Sequence, residues 1–239
     1  MIYNILNQNK VKSIVKTKSS TLEEIDLTSY LEMKKIKVVD TNIGDFICSV
    51  FTERPYSFKS SAAHKNTDQI ADIYTNQFGV KENLNAKQLT IYTKNILRKE
   101  VYNPEALITG ANFLISNTGS IVFTENEGNI LKSTSFAPIH IIVAGIDKMI
   151  TSIDELSVLL PLSSLYDNNK NISSLYSIIN SPSISEDKVQ NLYLILLNNN
   201  RTNILSKEKQ RNILSCIQCG ACLEVCPIYN VIGGHTYNE

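Results

Sequence analysis

The sequence predicts an α/β fold with a parallel sheet, and three observations carry that expectation. Residues 11 to 40 read strand, helix, strand within about thirty positions, the signature of a βαβ unit. "IHIIVAGI", residues 139 to 146, is a continuous apolar run with β-branched residues, suited to a strand covered on both faces. Two helical stretches, in residues 61 to 103, lie between them.

The elements follow in order. "VKSIVKTK", Val11 to Lys18, alternates apolar and basic residues as a half-buried strand does. The next stretch, "SSTLEEIDLTSYLEMKK", has Ser20 or Thr21 to cap a helix and Glu23 and Glu24 in its first turn. "IKVVD" is a second strand. One helix is expected after Ser61 and another over "NAKQLTIYTKNILRKEVYN", with Gly79 separating them. In "ALITGANFLISNTGSIVFTENE" two apolar stretches flank Asn117-Thr118-Gly119, which predicts a hairpin or a strand–loop–strand. Residues 151 to 166 read as a helix capped by Thr151 or Ser152 and interrupted by Pro161. The polar stretch from Tyr166 to Lys188 reads as a helix between loops, "LYLILLNNN" as a last strand, and Ser206 to about Leu214 as a linking helix.

Composition narrows the function classes. The 239 residues carry 23 basic and 23 acidic side chains, with 43% hydrophobic and 19% charged residues. This balance gives no support for nucleic acid or an anionic membrane as a partner. The start, MIYNILNQNK, lacks the organisation of a secretory signal, and no apolar run reaches the ~20 residues of a membrane-spanning helix. A cytoplasmic protein without a transmembrane segment is expected.

The most specific chemistry is "CIQCGACLEVCP", with Cys216, Cys219, Cys222 and Cys226 spaced C-x2-C-x2-C-x3-C-P. Bacterial-type ferredoxins hold [4Fe–4S] clusters with this run, its fourth cysteine serving a second cluster. The second run that such an arrangement requires is absent from the 239 residues. Zinc, favouring two separated pairs or a Cys/His set that His235 would join, fits the spacing less well. A thioredoxin-like C-x-x-C explains only two of the four cysteines. Thiolate chemistry implies a reducing compartment. Cys48 stands alone and reads as a small buried hydrophobe.

A second informative stretch is "TGANFLISNTGSIVFTENEGN". Thr109, Gly110, Asn112, Thr118, Gly119, Asn126 and Glu127 are its candidate substrate-binding residues, since small residues and amides at strand ends let backbone N–H groups approach an anion. Turn chemistry accounts for the same residue types. Neither G-x-G-x-x-G nor a P-loop is present. Lys16 and Lys18, at the end of the first strand, are either solvated or available to an anion. His64 reads as a surface or capping histidine, and Glu127 as either a base or a structural carboxylate. No catalytic residue can be assigned.

With these segments on the page, the chain resembles the lactate-utilization iron–sulfur proteins. "IVKTKSSTLEEIDL", "AAHKNTDQI", "ILRK", "ITGANFLISNTGSIVFTENEGN", "RTNIL" and "CIQCGACLEVCPIYNVIGGHTY" occur in the order found in that family and cover nearly the whole chain. The resemblance implies a LUD domain over residues 1–205, of the NagB/RpiA/CoA-transferase-like fold, with a mostly parallel sheet flanked by helices. It implies that residues 206–239 are a linker helix and the first half of an α-helical dicluster ferredoxin module. The expected role is an electron-transfer subunit in the oxidation of L-lactate to pyruvate, not catalytic alone. Two [4Fe–4S] clusters in the complete protein are implied, with incomplete ligation here. Partners would be a second LUD protein and an iron–sulfur protein with a cysteine-rich domain. The alternative is a CoA-transferase-like or small-carboxylate-binding domain acting as an enzyme or redox sensor.

The resemblance also implies residues before Met1 and a second cysteine run after Glu239, so that the cysteine segment is expected to form a metal-free, weakly anchored tail. Two departures stand out. "NNNRTNIL" replaces a family D-N-G-R-S-N-I-L, and Ile130 and Phe136 stand where Gly or Leu is more usual.

Overall fold

The computed structural model describes residues 1–57, 60–80, 84–125, 127–168, 175–182, 184–185 and 188–237. Its chain begins with helix α1 (Ile2–Gln8), then runs β1 (Ser13–Lys16), α2 (Ser20–Glu24), α3 (Leu27–Met33), β2 (Lys37–Asp40) and α4 (Ile43–Phe51). Next come α5 (Thr67–Phe78), α6 (Ala86–Tyr102), β3 (Ala106–Thr109), β4 (Phe113–Ile115), β5 (Ser120–Glu125), α7 (Asn129–Phe136) and β6 (Ile139–Gly145). After them lie β7 (Met149–Ile150), α8 (Leu156–Asn168), β8 (Leu175–Ile179), the short ladder of β9 (Ile184–Ser185) and β10 (Lys188–Val189), and β11 (Asn191–Leu197). The chain closes with α9 (Arg201–Leu205), α10 (Ala221–Glu224), α11 (Pro227–Ile232) and α12 (Gly234–Tyr237).

The main sheet has the order β11-β6-β3-β1-β2, and all its pairings are parallel. The expected βαβ unit is present, with Ile14 opposite Val38 and Val15 opposite Val39. β6 is buried along its whole length, as the unbroken apolar run requires. Its alternation serves two cores. Ile141 and Val143 join Ile14, Ile108, Leu6, Leu22, Leu27 and Leu31 beneath the first three helices. Ile142 and Ala144 point the other way, onto Leu114, Ile121 and Phe123. Those residues belong to a second sheet of order β7-β4-β5-β8, in which β4 and β5 form the expected hairpin. Gly119 makes the turn at φ +68°, where a β-carbon is disfavoured.

Several expectations are corrected. The helix from Ser20 is split at Asp26, which adopts a left-handed φ of 45°, and Ser19, not Ser20 or Thr21, is its N-cap residue. The helix expected after Ser61 starts at Thr67, because Asn66 and Gln69 form a reciprocal capping box there. Pro161 lies inside α8 without ending it. Where a helix was expected, Leu175–Ile179 is a strand completing the second sheet against β5, its β-branched residues pairing with Ile121 and Val122. The linking helix from Ser206 is replaced by α9, which ends at Leu205, and a 3-10 turn over Arg211–Ser215. α1 and α4 are additional to the elements that the sequence pattern predicts. Asn42 caps α4, accepting from the N–H groups of Gly44 and Asp45.

Among the described residues no helix is long and apolar enough to cross a membrane. The cysteine segment is docked rather than loose. Leu223 is buried, Ile217 packs with Phe113, Ile115 and Val122, and His235 Nε2 meets the carbonyl of Arg54 at 3.0 Å. Gly234 lies against the backbone of Tyr56 so closely that a β-carbon would overlap its carbonyl oxygen.

Candidate functional site

A cleft of about 630 Å³ opens at the carboxyl ends of the parallel strands. Its wall is built by the residues that follow β1 (Thr17, Lys18, Ser19), β2 (Thr41, Asn42) and β3 (Gly110, Ala111, Asn112), with Lys148 from the turn after β6. Open α/β sheets bind ligands at this edge because strand-end loops leave N–H groups and short side chains facing a shared crevice.

Two lysines at the end of β1 have separate roles. Lys16 is 5% exposed and pairs with Asp40 at 2.7 Å, within the sheet and across to β2. Burial opposes its charge, but Asp40 prevails and holds its ammonium above the ordinary lysine value. Neither solvation nor an external anion describes it. Lys18 enters the cleft and donates to Ser61 Oγ at 2.9 Å. Ser61 in turn donates to Asp45 through a short contact. Burial raises the Asp45 carboxyl, with Lys18 the main opposing influence. Lys18, Ser61 and Asp45 therefore form a linked chain in which cation and carboxylate offset each other.

Glu127 lies across the cleft, half buried. It accepts from Asn42 Nδ2 at 3.2 Å, Ile43 N–H at 3.4 Å and Asn129 Nδ2 at 2.8 Å. Burial moves its carboxyl upward despite these donors. It thus ties α4 to the loop after β5. Glu125, also lining the cleft, accepts from the N–H groups of Ile130 and Leu131 at 2.7 and 3.0 Å.

Lys148 completes the wall. Its residue is 7% exposed, and its Nζ donates to Gln218 Oε1 at 3.1 Å. Ser20 Oγ donates to the same oxygen at 2.7 Å. Burial lowers the lysine's affinity for its proton. Gln218 lies between Cys216 and Cys219, so the cysteine run closes one side of the cleft.

The expected binding residues divide accordingly. Gly110, Asn112 and Glu127 line the cleft. Asn112 Oδ1 accepts from Thr124 N–H at 2.9 Å, and Gly110 allows close approach to Ser19. Thr109 is fully buried below it, with Oγ1 at 2.9 Å from His140 Nε2. Thr118 and Gly119 are corrected to turn residues: both are exposed at the β4–β5 hairpin, where Thr118 Oγ1 contacts Ser120 Oγ at 2.8 Å. Asn126 lies outside the described residues. Sequence reasoning missed Lys148, Ser61 and Gln218. The available signal for Lys148 was its place just beyond the end of a fully buried strand.

His64 is neither a free surface residue nor a cap. Its Nε2 is 2.8 Å from Glu53, and its ring is stacked on Tyr56. Cys48 is buried as expected, donating to the carbonyl of Ser61 at 3.0 Å, and burial pushes its thiol up to about 11.

Cys216 and Cys222 are exposed, while Cys219 and Cys226 are half-exposed free thiols. Left-handed turns at Gln218 (φ 59°) and Gly220 (φ 77°) fold the run back on itself. The Cys226 thiol is lowered, chiefly by the N–H of Tyr229, 3.5 Å from its sulfur. Thiol donors at this spacing are chemically suited to iron–sulfur ligation. Among the described residues, however, no three Cys, His, Asp or Glu side chains converge as a metal-binding group.

Sheet order, strand-end cleft and flanking helices define an open α/β domain with a crevice at its strand ends. The chain belongs to the LUD domain family, whose pattern matches residues 1–197. It is similar to "Lactate utilization protein B" of Geobacillus sp. (strain WCH70), with 34% identity over 100% of this chain and 50% of that protein. The proteins of the same name from Bacillus licheniformis and Bacillus subtilis (strain 168) are 33% and 32% identical, with the same coverage. The chain thus spans about half the length of these curated relatives. A crystal structure of a DUF162 family protein from Deinococcus radiodurans covers 64% of this chain and 93% of its own, with 13% identity and a TM-score of 0.31, too low to carry an argument.

Proposed function

We propose that this protein acts in lactate utilization as the iron–sulfur electron-transfer subunit of a cytoplasmic complex that oxidises L-lactate to pyruvate. The observation that carries the proposal is the junction at Gln218: a residue inside the cysteine run forms part of the wall of the strand-end cleft. Similarity of the whole of this chain to half of the lactate utilization proteins supports the same reading. In this reading residues 1–205 form the LUD domain, and residues 206–239 the linker and first half of a ferredoxin-type module.

Cys216, Cys219 and Cys222 would ligate three of the four irons of one [4Fe–4S] cluster and Cys226 one iron of a second, each completed by thiolates from elsewhere in the complete protein. Bound clusters would supply one-electron transfer. Lactate gives up two electrons and two protons on becoming pyruvate, so another subunit or cofactor must divide the pair. A second LUD protein and an iron–sulfur protein with a cysteine-rich domain are the proposed partners.

The test is anaerobic purification of the complete protein with iron and sulfide analysis, followed by spectroscopy on adding lactate. About eight irons are expected for two clusters, with reduction by lactate only when the partner subunits are present. Zinc without sulfide would sink the proposal. A second reading, a carboxylate-binding or CoA-transferase-like domain acting as an enzyme or sensor, is favoured by the basic and acidic groups facing one cleft. Turnover of a CoA ester by this chain alone would support it over electron transfer.

A further inference from the structure

The environment of Lys148 is unusual within the cleft. Lysines buried to this degree are normally paired, yet among the described residues Lys148 has no ion pair with a carboxylate. The nearby acids are occupied elsewhere. Asp147 contacts Arg201 Nε, and Glu24 accepts from both terminal nitrogens of Arg201 at 2.9 and 2.8 Å. Lys148 Nζ donates instead to the neutral carboxamide of Gln218, whose oxygen also accepts from the hydroxyl of Ser20. Lys18, by contrast, is linked to Asp45 through Ser61.

We infer that Lys148 and Ser20 form the anchoring position for the carboxylate of a small organic acid, and that Gln218 occupies this position as a displaceable stand-in. A carboxylate oxygen can take the place of the amide oxygen, accepting from both donors. It also brings a negative charge that the neutral carboxamide does not have, adding direct Coulombic attraction to the hydrogen bond that the ammonium already makes. The remaining cleft volume, with Ser19, Thr21 and Asn112 on its wall, receives the polar body of the acid.

Displacement has a structural consequence. Gln218 sits between Cys216 and Cys219 with a left-handed backbone, φ 59°. Its release from Lys148 and Ser20 removes two of the contacts that hold the segment, leaving Ile217 packed on the second sheet, so occupation of the cleft and loosening of the run around half-exposed Cys219 are linked equilibria. The inference rests on the carboxylate-binding side of the functional reading and names the position where the acid is held.

The experiment is calorimetric titration of the purified, cluster-free, reduced protein with L-lactate, pyruvate and inorganic phosphate, with alkylation rates at Cys216 and Cys219 measured by mass spectrometry. Lactate or pyruvate is expected to bind saturably and to raise alkylation of half-exposed Cys219 several-fold, with exposed Cys216 as the internal reference. Gln218→Ala removes the internal competitor and is expected to tighten binding about tenfold. Lys148→Met is expected to abolish binding, while Lys148→Arg retains it. Should Lys148→Met fail to fold, Ser20→Ala, at a half-exposed position, is expected to weaken binding several-fold. Unchanged affinity in Lys148→Met or Ser20→Ala, weaker binding in Gln218→Ala, or phosphate binding in place of the carboxylates would overturn the inference. Carboxylate binding at Lys148 without lactate-driven cluster reduction in the assembled complex would leave it standing and remove the electron-transfer reading.

Discussion

Arg201 holds Glu24 with two parallel hydrogen bonds, of 2.9 Å from Nη1 and 2.8 Å from Nη2, while its Nε contacts Asp147. The planar fork joins α9, α2 and the turn after β6. An ammonium cannot reproduce this geometry. Arg201→Lys is therefore expected to cost about 1 kcal/mol, discounted because Glu24 is partly solvated, and to lower the urea midpoint without changing its slope. Arg201 holds the Glu24 carboxyl below its usual range. The pair's contribution is thus fully present above the unfolded value, about pH 4.3, and is lost as pH falls through the lower folded value. A substitution cost that persists unchanged at pH 2 would contradict this account.

Gly110 and Ser19 meet where β3 and β1 enter the cleft. A β-carbon on Gly110 would overlap both Oγ and Cβ of Ser19. Gly110→Ala is expected to destabilise the fold by about 1–3 kcal/mol. Because the obstruction is a side chain, the double variant Ser19→Gly/Gly110→Ala should recover most of the loss in chemical denaturation. If it recovers none, this packing account is wrong.

His140, fully buried in β6, is kept neutral: burial lowers it to about 4. Its unfolded value is near 6.5, so between these values the unfolded chain binds more protons. Folding stability should rise with pH across that window and level off above it, by about 3 kcal/mol from this residue. His140→Gln should flatten that part of the profile, whatever its cost at neutral pH. An unchanged profile would assign the acid sensitivity to other groups.

Asn200 adopts φ 70°, in the left-handed region that favours glycine. Asparagine tolerates the left-handed region better than most residues, but still less readily than glycine. Asn200→Gly is expected to stabilise the protein by about 0.5 kcal/mol, raising the melting temperature by ~1–2 °C. The exposed contact from Asn203 Nδ2 to its side chain, at 2.5 Å, offsets little of this. A lower melting temperature would show that this side-chain contact matters more than the backbone conformation.

How much of this architecture is legible in the sequence depends on the range of the forces involved. β1, β2, β6 and β11 are readable because strand burial imposes local apolar patterns. The hairpin at Gly119 is readable because its turn chemistry is local. Leu175–Ile179 is not, because an edge strand in polar sequence owes its form to pairing with β5. The site shows the same division. Gly110, Asn112 and Glu127 belong to one stretch, and the strand-end rule finds them. That rule also drew in Thr118 and Gly119, whose residue types serve the hairpin turn. Lys148 and Gln218 stand 70 positions apart, and their meeting depends on the assembled sheet.

The bond from Ser20 to Gln218 joins positions 198 apart in the chain. As the protein is made from its N-terminus, every strand of the main sheet emerges before the residue that closes the cleft. The cleft is consequently sealed only after both sheets have emerged, by a segment whose anchor in the second sheet's core is Ile217. Loop closure over such a distance gains only from contacts the folded domain already offers. Closure should also be the first feature lost in mild denaturant, giving an open-mouthed intermediate with both sheets intact.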